Sequence, residues 1–73
     1  MPPVVLDARG MRCPWPVLRL ARVMRALPPG GSVRLHADDP AAPREVAALV
    51  SERGWRMAAE GDGSWLITAD PMA

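Results

Sequence analysis

A chain of 73 residues is long enough for one small domain with a modest core, and too short for a lid or a large enclosed pocket. Its nine basic and eight acidic residues nearly cancel, so it lacks the single-sign charge on which non-specific nucleic-acid binding depends. It has one cysteine and no signal-peptide pattern at its start. No apolar run approaches the length of about 20 residues that a membrane span needs. These features predict a single domain over residues 1–73, located in the cytoplasm, that binds neither nucleic acid nor membrane directly.

The first half of the chain predicts a strand, a loop, a helix and a second strand. Residues 4–6 are an apolar, β-branched run typical of a strand, and residues 7–12 break that pattern. From Pro16 onwards, apolar residues recur at the i, i+3, i+4 and i+7 spacing of one helical face, until two prolines and two glycines at 28–31 end the helix. Residues 33–37 then alternate between apolar and polar side chains, which indicates a strand with one buried face.

The second half predicts a turn, a second helix and a hairpin. Residues 38–43 form the turn, Pro43 suits the start of a helix, and Gly54 suits its C-terminal end. The hairpin covers residues 55–68, with a Gly-Asp-Gly turn at 61–63. Each helix has one narrow apolar stripe, so each covers a sheet on one side only. The predicted fold is an α/β (α+β) two-layer sandwich of order β-α-β-α-β-β, with two helices on one face of a four-stranded mixed sheet.

Cys13 lies at the junction of the first loop and the first helix, where Pro14 and Pro16 stiffen the chain. Because proline disfavours helical geometry in the residue before it, Cys13 and Trp15 are expected to be extended. The amino-terminal end of a helix is partially positive and Arg12 adds a full charge, so the expected pKa of the thiol is below its usual value of about 8.5. The pattern indicates an exposed, reactive thiolate; the alternative is a buried cysteine that acts as a small apolar residue.

The rest of the composition limits what this thiol can do. There is no second cysteine, so an internal disulfide and a thioredoxin-like redox cycle are excluded. Cys13 and His36 are the only soft metal ligands, fewer than a zinc site needs, so no metal site is predicted. A cysteine hydrolase would need His36 as its base, but the alternation around it indicates an exposed strand residue. What remains is a thiol that takes up a group from one protein and passes it to another.

Residues 7–16 carry the pattern Asp-x-x-Gly-x-x-Cys-Pro-x-Pro. A Pro-Gly pair at 29–30 precedes the second strand, an Ala-Asp-Asp-Pro stretch at 37–40 follows it, and Gly54 ends the second helix. On these motifs the chain resembles the TusA-like (SirA-like) family of sulfur carriers, from about residue 6 to residue 68. The first motif is specific to that family, and the others support it.

The resemblance implies the fold predicted above together with a function. Cys13 would accept sulfane sulfur as a persulfide from a cysteine desulfurase or a rhodanese-type protein, and pass it to a downstream acceptor protein. The end uses in the family are tRNA thiolation, molybdenum-cofactor assembly and sulfur oxidation, and the sequence does not choose among them. No cofactor beyond the covalent persulfide is implied. The free chain is expected to be a monomer, a sulfurtransferase-type carrier without independent turnover.

The resemblance also assigns supporting roles to the residues around Cys13. Pro14 and Pro16 would set the geometry of the loop, and Arg12 belongs to the same motif. Asp7 and Gly10 would shape the loop before the cysteine.

Some residues near the motif are candidates for partner docking. They are Trp15, Arg19, Arg22, Asp38 and Asp39. The alternative for the arginines is a solvated helix face, and for the aspartates it is turn formation or capping. Trp15 would suit docking as an exposed aromatic anchor, or would instead cover an edge of the core. Trp55 stands where many relatives have histidine, a change expected to affect the choice of partner rather than sulfur transfer itself.

Two other classes of function fit parts of the sequence. A small thiol-dependent redox enzyme would use Cys13, although it lacks a resolving cysteine and room for a substrate cavity. A non-catalytic regulatory or interaction module would bind through the open face of the sheet or the arginines of the first helix, and would not need Cys13. Sulfur labelling of the thiol separates the first class from the carrier, and a Cys13→Ser variant separates the second.

Overall fold

The elements follow the predicted order β-α-β-α-β-β in the computed structural model, which describes residues 2–69. They are β1 (Val4–Asp7), α1 (Trp15–Arg25), β2 (Ser32–His36), α2 (Ala42–Arg53), β3 (Arg56–Gly61) and β4 (Ser64–Thr68). No helix among the described residues is long and apolar enough to cross a membrane.

The strands form one four-stranded mixed sheet with the order β1-β2-β4-β3. β1 and β2 are parallel and are joined through α1, whereas β4 is antiparallel to both of its neighbours. The last residues of the parallel pair, Asp7 and His36, lie opposite each other. The loops that follow β1 and β2 therefore emerge side by side at the same edge of the sheet, and the first of them carries Cys13.

One face of the sheet and one stripe of each helix form the core. Val33 and Leu35 on β2 are fully buried, whereas Arg34 and His36 point to the other, uncovered face and are only half-buried. The helices contribute Leu20 and Met24 from α1 and Val46, Leu49 and Val50 from α2. The two-layer arrangement predicted from the apolar stripes is confirmed.

The start of α1 differs from the expectation. Trp15 is the first helical residue, so the extended backbone expected there is wrong. Pro16 takes the second helical position, where an amide hydrogen has no intrahelical partner to lose, and its ring is fully buried in the core. This burial outweighs the steric preference of the residue before a proline for extended backbone.

The C-terminal hairpin forms as predicted, but its first strand is exposed throughout. Met57 and Ala59 lie opposite Ile67 and Trp65, whose side chains are buried under the helices. All six residues of β3 are nonetheless exposed, because β3 is an edge strand. The half-buried aromatic residue of this region is Trp55, which precedes the strand and packs against the core.

Candidate functional site

Cys13 lies in the loop between β1 and α1, two residues before the helix begins. Pro14 occupies the N-cap position, and the peptide bond between Cys13 and Pro14 is cis. The N–H of Trp15 donates to the carbonyl oxygen of Arg12 (2.8 Å), so the turn around Cys13 runs directly into the helix. The thiol is exposed, as the sequence predicts, and the alternative of a buried cysteine is wrong.

The start of this loop is anchored by its own residues and by β2. Ala8 is fully buried, and its N–H donates to the carbonyl oxygen of His36 (2.7 Å). The Asp7 carboxylate accepts hydrogen bonds from the Arg9 guanidinium (2.9 and 3.0 Å) and from the Arg9 backbone N–H (3.1 Å). These bonds, the side-chain ones first, lower the pKa of Asp7 to about 2. Gly10 has a φ of +84°, a left-handed conformation that glycine adopts without steric cost, and it turns the loop toward Cys13.

Two aspartates that follow β2 hold the cysteine loop from the other side. Asp39 uses both carboxylate oxygens: Oδ2 accepts from the Cys13 N–H (2.8 Å) and Oδ1 from the Ala41 N–H (2.7 Å). The Oδ1 of Asp38 accepts from the Gly10 N–H (2.9 Å). Asp38 and Asp39 together form the aspartate clamp. It bridges 28 and 26 residues of sequence, and it fixes the cysteine loop against the loop that leads into α2.

Docking, turn formation and capping are the roles that the sequence suggests for the aspartate clamp. The bond from Asp39 to Ala41 is a turn contact between residues two apart. The bonds to Cys13 and Gly10 are long-range contacts that no local pattern predicts. The signal for them is topological: the clamp follows β2, which lies parallel to and beside β1, so the loops after these two strands meet.

The charges around Cys13 correct the expected pKa of its thiol. Partial desolvation comes first, followed by the negative charges of Glu45 and Asp39, and together they raise the pKa of the Cys13 thiol. Arg44 opposes this shift. The lowered pKa expected from the sequence is therefore wrong. Arg12, the nearest cation in the sequence, acts on Asp39 instead: two backbone hydrogen bonds, and then the charge of Arg12, lower the pKa of that carboxyl.

An apolar pair flanked by arginines lies on the α1 side of Cys13. Trp15 and Leu18 are exposed over 60% and 51% of their surface, so Trp15 does not serve to cover the core. Arg12 and Arg19 line a shallow groove with Trp15, and Arg19 and Arg22 line the next one with Trp15 and Leu18. These five residues form the α1 surface. The aspartate clamp lines a neighbouring groove, and the two grooves share residues 10–12 of the cysteine loop.

The structure also places His36 and Trp55, the other two residues that the sequence singles out. His36 is half-buried at the end of β2 and lines a groove with Asp62. Trp55 follows the C-terminal end of α2, where the Arg53 guanidinium lies 5.8 Å from the centre of its ring. Trp55 lines a groove with Met24 and Arg25, so it lies at the opposite end of α1 from Cys13. Within residues 2–69, no three His, Cys, Asp or Glu side chains are grouped to hold a metal ion.

The fold and the site together define a small α/β domain that presents one thiol at the start of a helix. A family model described as Sulfurtransferase TusA matches residues 4–69, a range that contains all six elements and the Cys13 loop. The crystal structure of a SirA-like protein from Desulfitobacterium hafniense has the same fold, with a TM-score of 0.69 and 22% sequence identity, covering 89% of this chain and 92% of that chain. The chain belongs to the TusA family of sulfurtransferases, sulfur carriers that interact with partner proteins.

Proposed function

We propose that the protein is a sulfur carrier in which Cys13 accepts sulfane sulfur as a persulfide and passes it to an acceptor protein. The observation that carries this proposal is the exposed thiol at the start of α1, within the residues that the family model matches. The backbone around the thiol is held from two sides, by Ala8 and by the aspartate clamp. Such support presents the sulfur to a visiting protein at a fixed position.

The proposed transfer needs no oxidant, reductant or cofactor. In the loading step the Cys13 thiol loses its proton to solvent, and the thiolate attacks the outer sulfur of a persulfide on the donor. The donor's S–S bond breaks, its cysteine leaves as a thiolate, and a new S–S bond holds the sulfur on Cys13. In the delivery step a thiolate of the acceptor attacks that outer sulfur, and the Cys13 sulfur leaves as a thiolate. Each step is a balanced exchange, because the sulfur moves without a change in oxidation level.

The proposed partners are proteins that present or receive a persulfide. Cysteine desulfurases and rhodanese-type proteins are the donor classes, and tRNA thiolation, molybdenum-cofactor assembly and sulfur oxidation are the candidate end uses. The carrier would act as a single domain, as a monomer between encounters, and in the cytoplasm. It would turn over only when both partners are supplied.

Mass spectrometry of the intact protein tests the carrier function directly. After incubation with a cysteine desulfurase from the same organism and free cysteine, or with a sulfur-loaded rhodanese, we expect the intact mass to rise by about 32 Da, and a digest to locate the gain on the peptide that contains Cys13. A reductant should remove the added mass, and protein alkylated beforehand at Cys13 should not acquire it. Absence of the adduct with both donor classes would overturn the proposal and favour a redox enzyme or an interaction module.

The α1 surface is the proposed docking site for these partners. An exposed aromatic anchor surrounded by cationic side chains suits a partner with an apolar recess and an acidic rim. Trp15 and Leu18 supply the apolar contact next to the thiol, and Arg12, Arg19 and Arg22 surround it.

Substitutions on α1 should slow sulfur transfer without changing the thiol. Trp15→Ala should lower the rate at limiting donor by at least about tenfold, because it removes the aromatic anchor. Arg19→Ala should lower it about two- to fivefold, the usual effect of one exposed charge. Arg25→Ala, an exposed arginine in the last turn of the same helix, is the matched control and should transfer like the wild type. Equal losses in Arg19→Ala and Arg25→Ala would place docking elsewhere.

A further inference from the structure

The proposed function does not require the acidic residues Asp39 and Glu45 of the loop before α2 and of α2. We propose that the carboxylates of Asp39 and Glu45 keep Cys13 a poor nucleophile and a poor leaving group in the free protein, and that a cationic side chain of a docked partner lifts this restraint. The proposal rests on the carrier function and adds to it a regulation of the same site by the partner. Asp39 lies in the loop before α2 and Glu45 lies in α2, whereas the α1 surface is formed by residues of the cysteine loop and α1.

Hydrogen bonds place the Asp39 carboxylate at the cysteine loop and link the backbone of Glu45 to the same segment. The Asp39 side chain bonds the N–H of Cys13 (2.8 Å) and the N–H of Ala41 (2.7 Å). The carbonyl oxygen of Ala41 in turn accepts from the N–H of Glu45 (3.0 Å), in the first turn of α2. Ala41 and Cys13 both donate to the Asp39 carboxylate, and Glu45 lies one helical turn after Ala41. Its side chain is half-buried, which limits the screening of its charge by water.

The charged groups that act on the thiol come from two segments after β2. The loop before α2 supplies Asp39, and α2 supplies Glu45 and Arg44; the two carboxylates raise the pKa of the thiol and Arg44 lowers it. Asp38 lines the same groove as Asp39, and Arg19 lines the groove on the α1 side of the loop. On the cysteine loop itself, Arg12 interacts with Asp39. α1 supplies the partial positive charge of its amino-terminal end. The outcome for the thiol is a raised pKa, caused first by partial desolvation and then by the carboxylates of Glu45 and Asp39.

A raised pKa restrains both steps of the relay. Less of the thiol is ionised at neutral pH, so the unloaded carrier reacts slowly with stray electrophiles and oxidants. Once loaded, the Cys13 sulfur is a poor leaving group, because a thiol of higher pKa leaves more slowly in exchange. The two carboxylates also repel small anionic thiols that would otherwise discharge the persulfide. A partner that places an arginine or lysine against Asp39 and Glu45 neutralises them, and so favours loading and delivery at the moment of contact.

This arrangement implies a partner surface with one basic region and one acidic region. It is basic where it meets Asp39 and Glu45, and acidic with an apolar recess where it meets the α1 surface. The cysteine loop joins these two regions, because its residues 10–12 line a groove with each of them. Opposite charges in the two regions would also fix the orientation in which a partner docks.

Alkylation of Cys13 by iodoacetamide across a pH series tests the restraint without any sulfur donor. Glu45→Gln keeps the shape of the side chain and removes its charge, so the midpoint of the rate profile should fall by about half to one pH unit. At pH 7 the rate should rise about two- to threefold, since the gain in thiolate is partly offset by its lower intrinsic nucleophilicity. Glu52→Gln, an exposed glutamate near the other end of α2, is the matched control and should leave the midpoint unchanged. Arg44→Gln should shift the midpoint the opposite way, to higher pH.

Charged disulfides test whether a cation is preferred at the site. Cystamine is dicationic and dithiodiglycolate is dianionic, and the Cys13 thiolate exchanges with either one by forming a mixed disulfide and releasing a thiolate. The ratio of the cystamine rate to the dithiodiglycolate rate should fall at least about twofold in Glu45→Gln relative to the wild type, and should not change in Glu52→Gln. High salt should diminish this difference between the two variants.

These measurements test the electrostatic restraint on Cys13 independently of the carrier function. Identical midpoints and rate ratios in Glu45→Gln and Glu52→Gln would overturn the inference, even if Cys13 still becomes persulfidated. Failure of every donor to load Cys13 would overturn the carrier function, and with it the relay use of the restraint, whatever the alkylation profiles show.

Discussion

Replacement of Cys13 by serine is expected to abolish sulfur transfer while leaving the fold intact. A hydroxyl is a far weaker nucleophile than a thiolate near neutral pH, and it cannot form a persulfide. The substitution removes no packing, because the side chain is exposed. The backbone N–H of residue 13 remains available to Asp39, so the aspartate clamp should persist. Intact mass after incubation with a sulfur donor and the circular dichroism spectrum measure the two halves of this expectation.

The same variant separates a sulfur carrier from an interaction module. In a strain that lacks the wild-type protein, Cys13→Ser should behave like the deletion if sulfur transfer is the function. Retained function in the cell, with the variant folded and expressed at the normal level, would favour binding through the open sheet face or the arginines of α1. Arg25→Ala in the same strain is the control for a surface change and should complement fully.

Replacement of Leu20 by alanine is expected to destabilise the domain more than any substitution on its surface. Leu20 is fully buried between α1 and the sheet, and such a truncation costs about 2–5 kcal/mol. A domain of this size has a total stability of only about 3–5 kcal/mol. The variant should therefore lie close to its unfolding midpoint in water, and urea unfolding followed by circular dichroism should show a short or absent native baseline.

Leu18→Ala is the matched control for the loss of stability. Leu18 lies on the same helix, two residues away, and is 51% exposed, so its truncation should change the free energy of unfolding by no more than about 0.5 kcal/mol. If the two variants unfold at the same urea concentration, the apolar stripe of α1 does not anchor the helix as described. The pair thus tests the packing that positions Cys13 separately from the chemistry of Cys13.

Most of the fold follows from periodicities that are visible in the sequence. The alternation of Val33 and Leu35 with Arg34 predicts one buried face of β2, and the structure has it. The apolar stripe that includes Leu20 predicts how α1 packs, and Gly54, with its left-handed backbone, ends α2 where expected. These features are local, because each depends on residues within one or two turns or strands.

The electrostatics of the site could not be predicted in this way. The expected lowering of the thiol pKa used only Arg12 and the helix start, which are its neighbours in sequence. Partial desolvation reverses it, followed by the charges of Glu45 and Asp39. These two residues are distant in sequence and approach Cys13 because β1 and β2 pair in parallel. The helical start at Trp15 is a similar case, since the burial of Pro16 decides it and that burial is a tertiary contact.

The aspartate clamp bears on whether the cysteine motif can be transplanted. A graft of the ten-residue segment 7–16 onto another scaffold would carry the thiol but leave the amides of Gly10 and Cys13 without their acceptors. A designed host would also need the acidic segment after the neighbouring strand, in the same spatial relation. The smallest portable unit is therefore a pair of adjacent parallel strands with both of their outgoing loops, rather than a contiguous peptide.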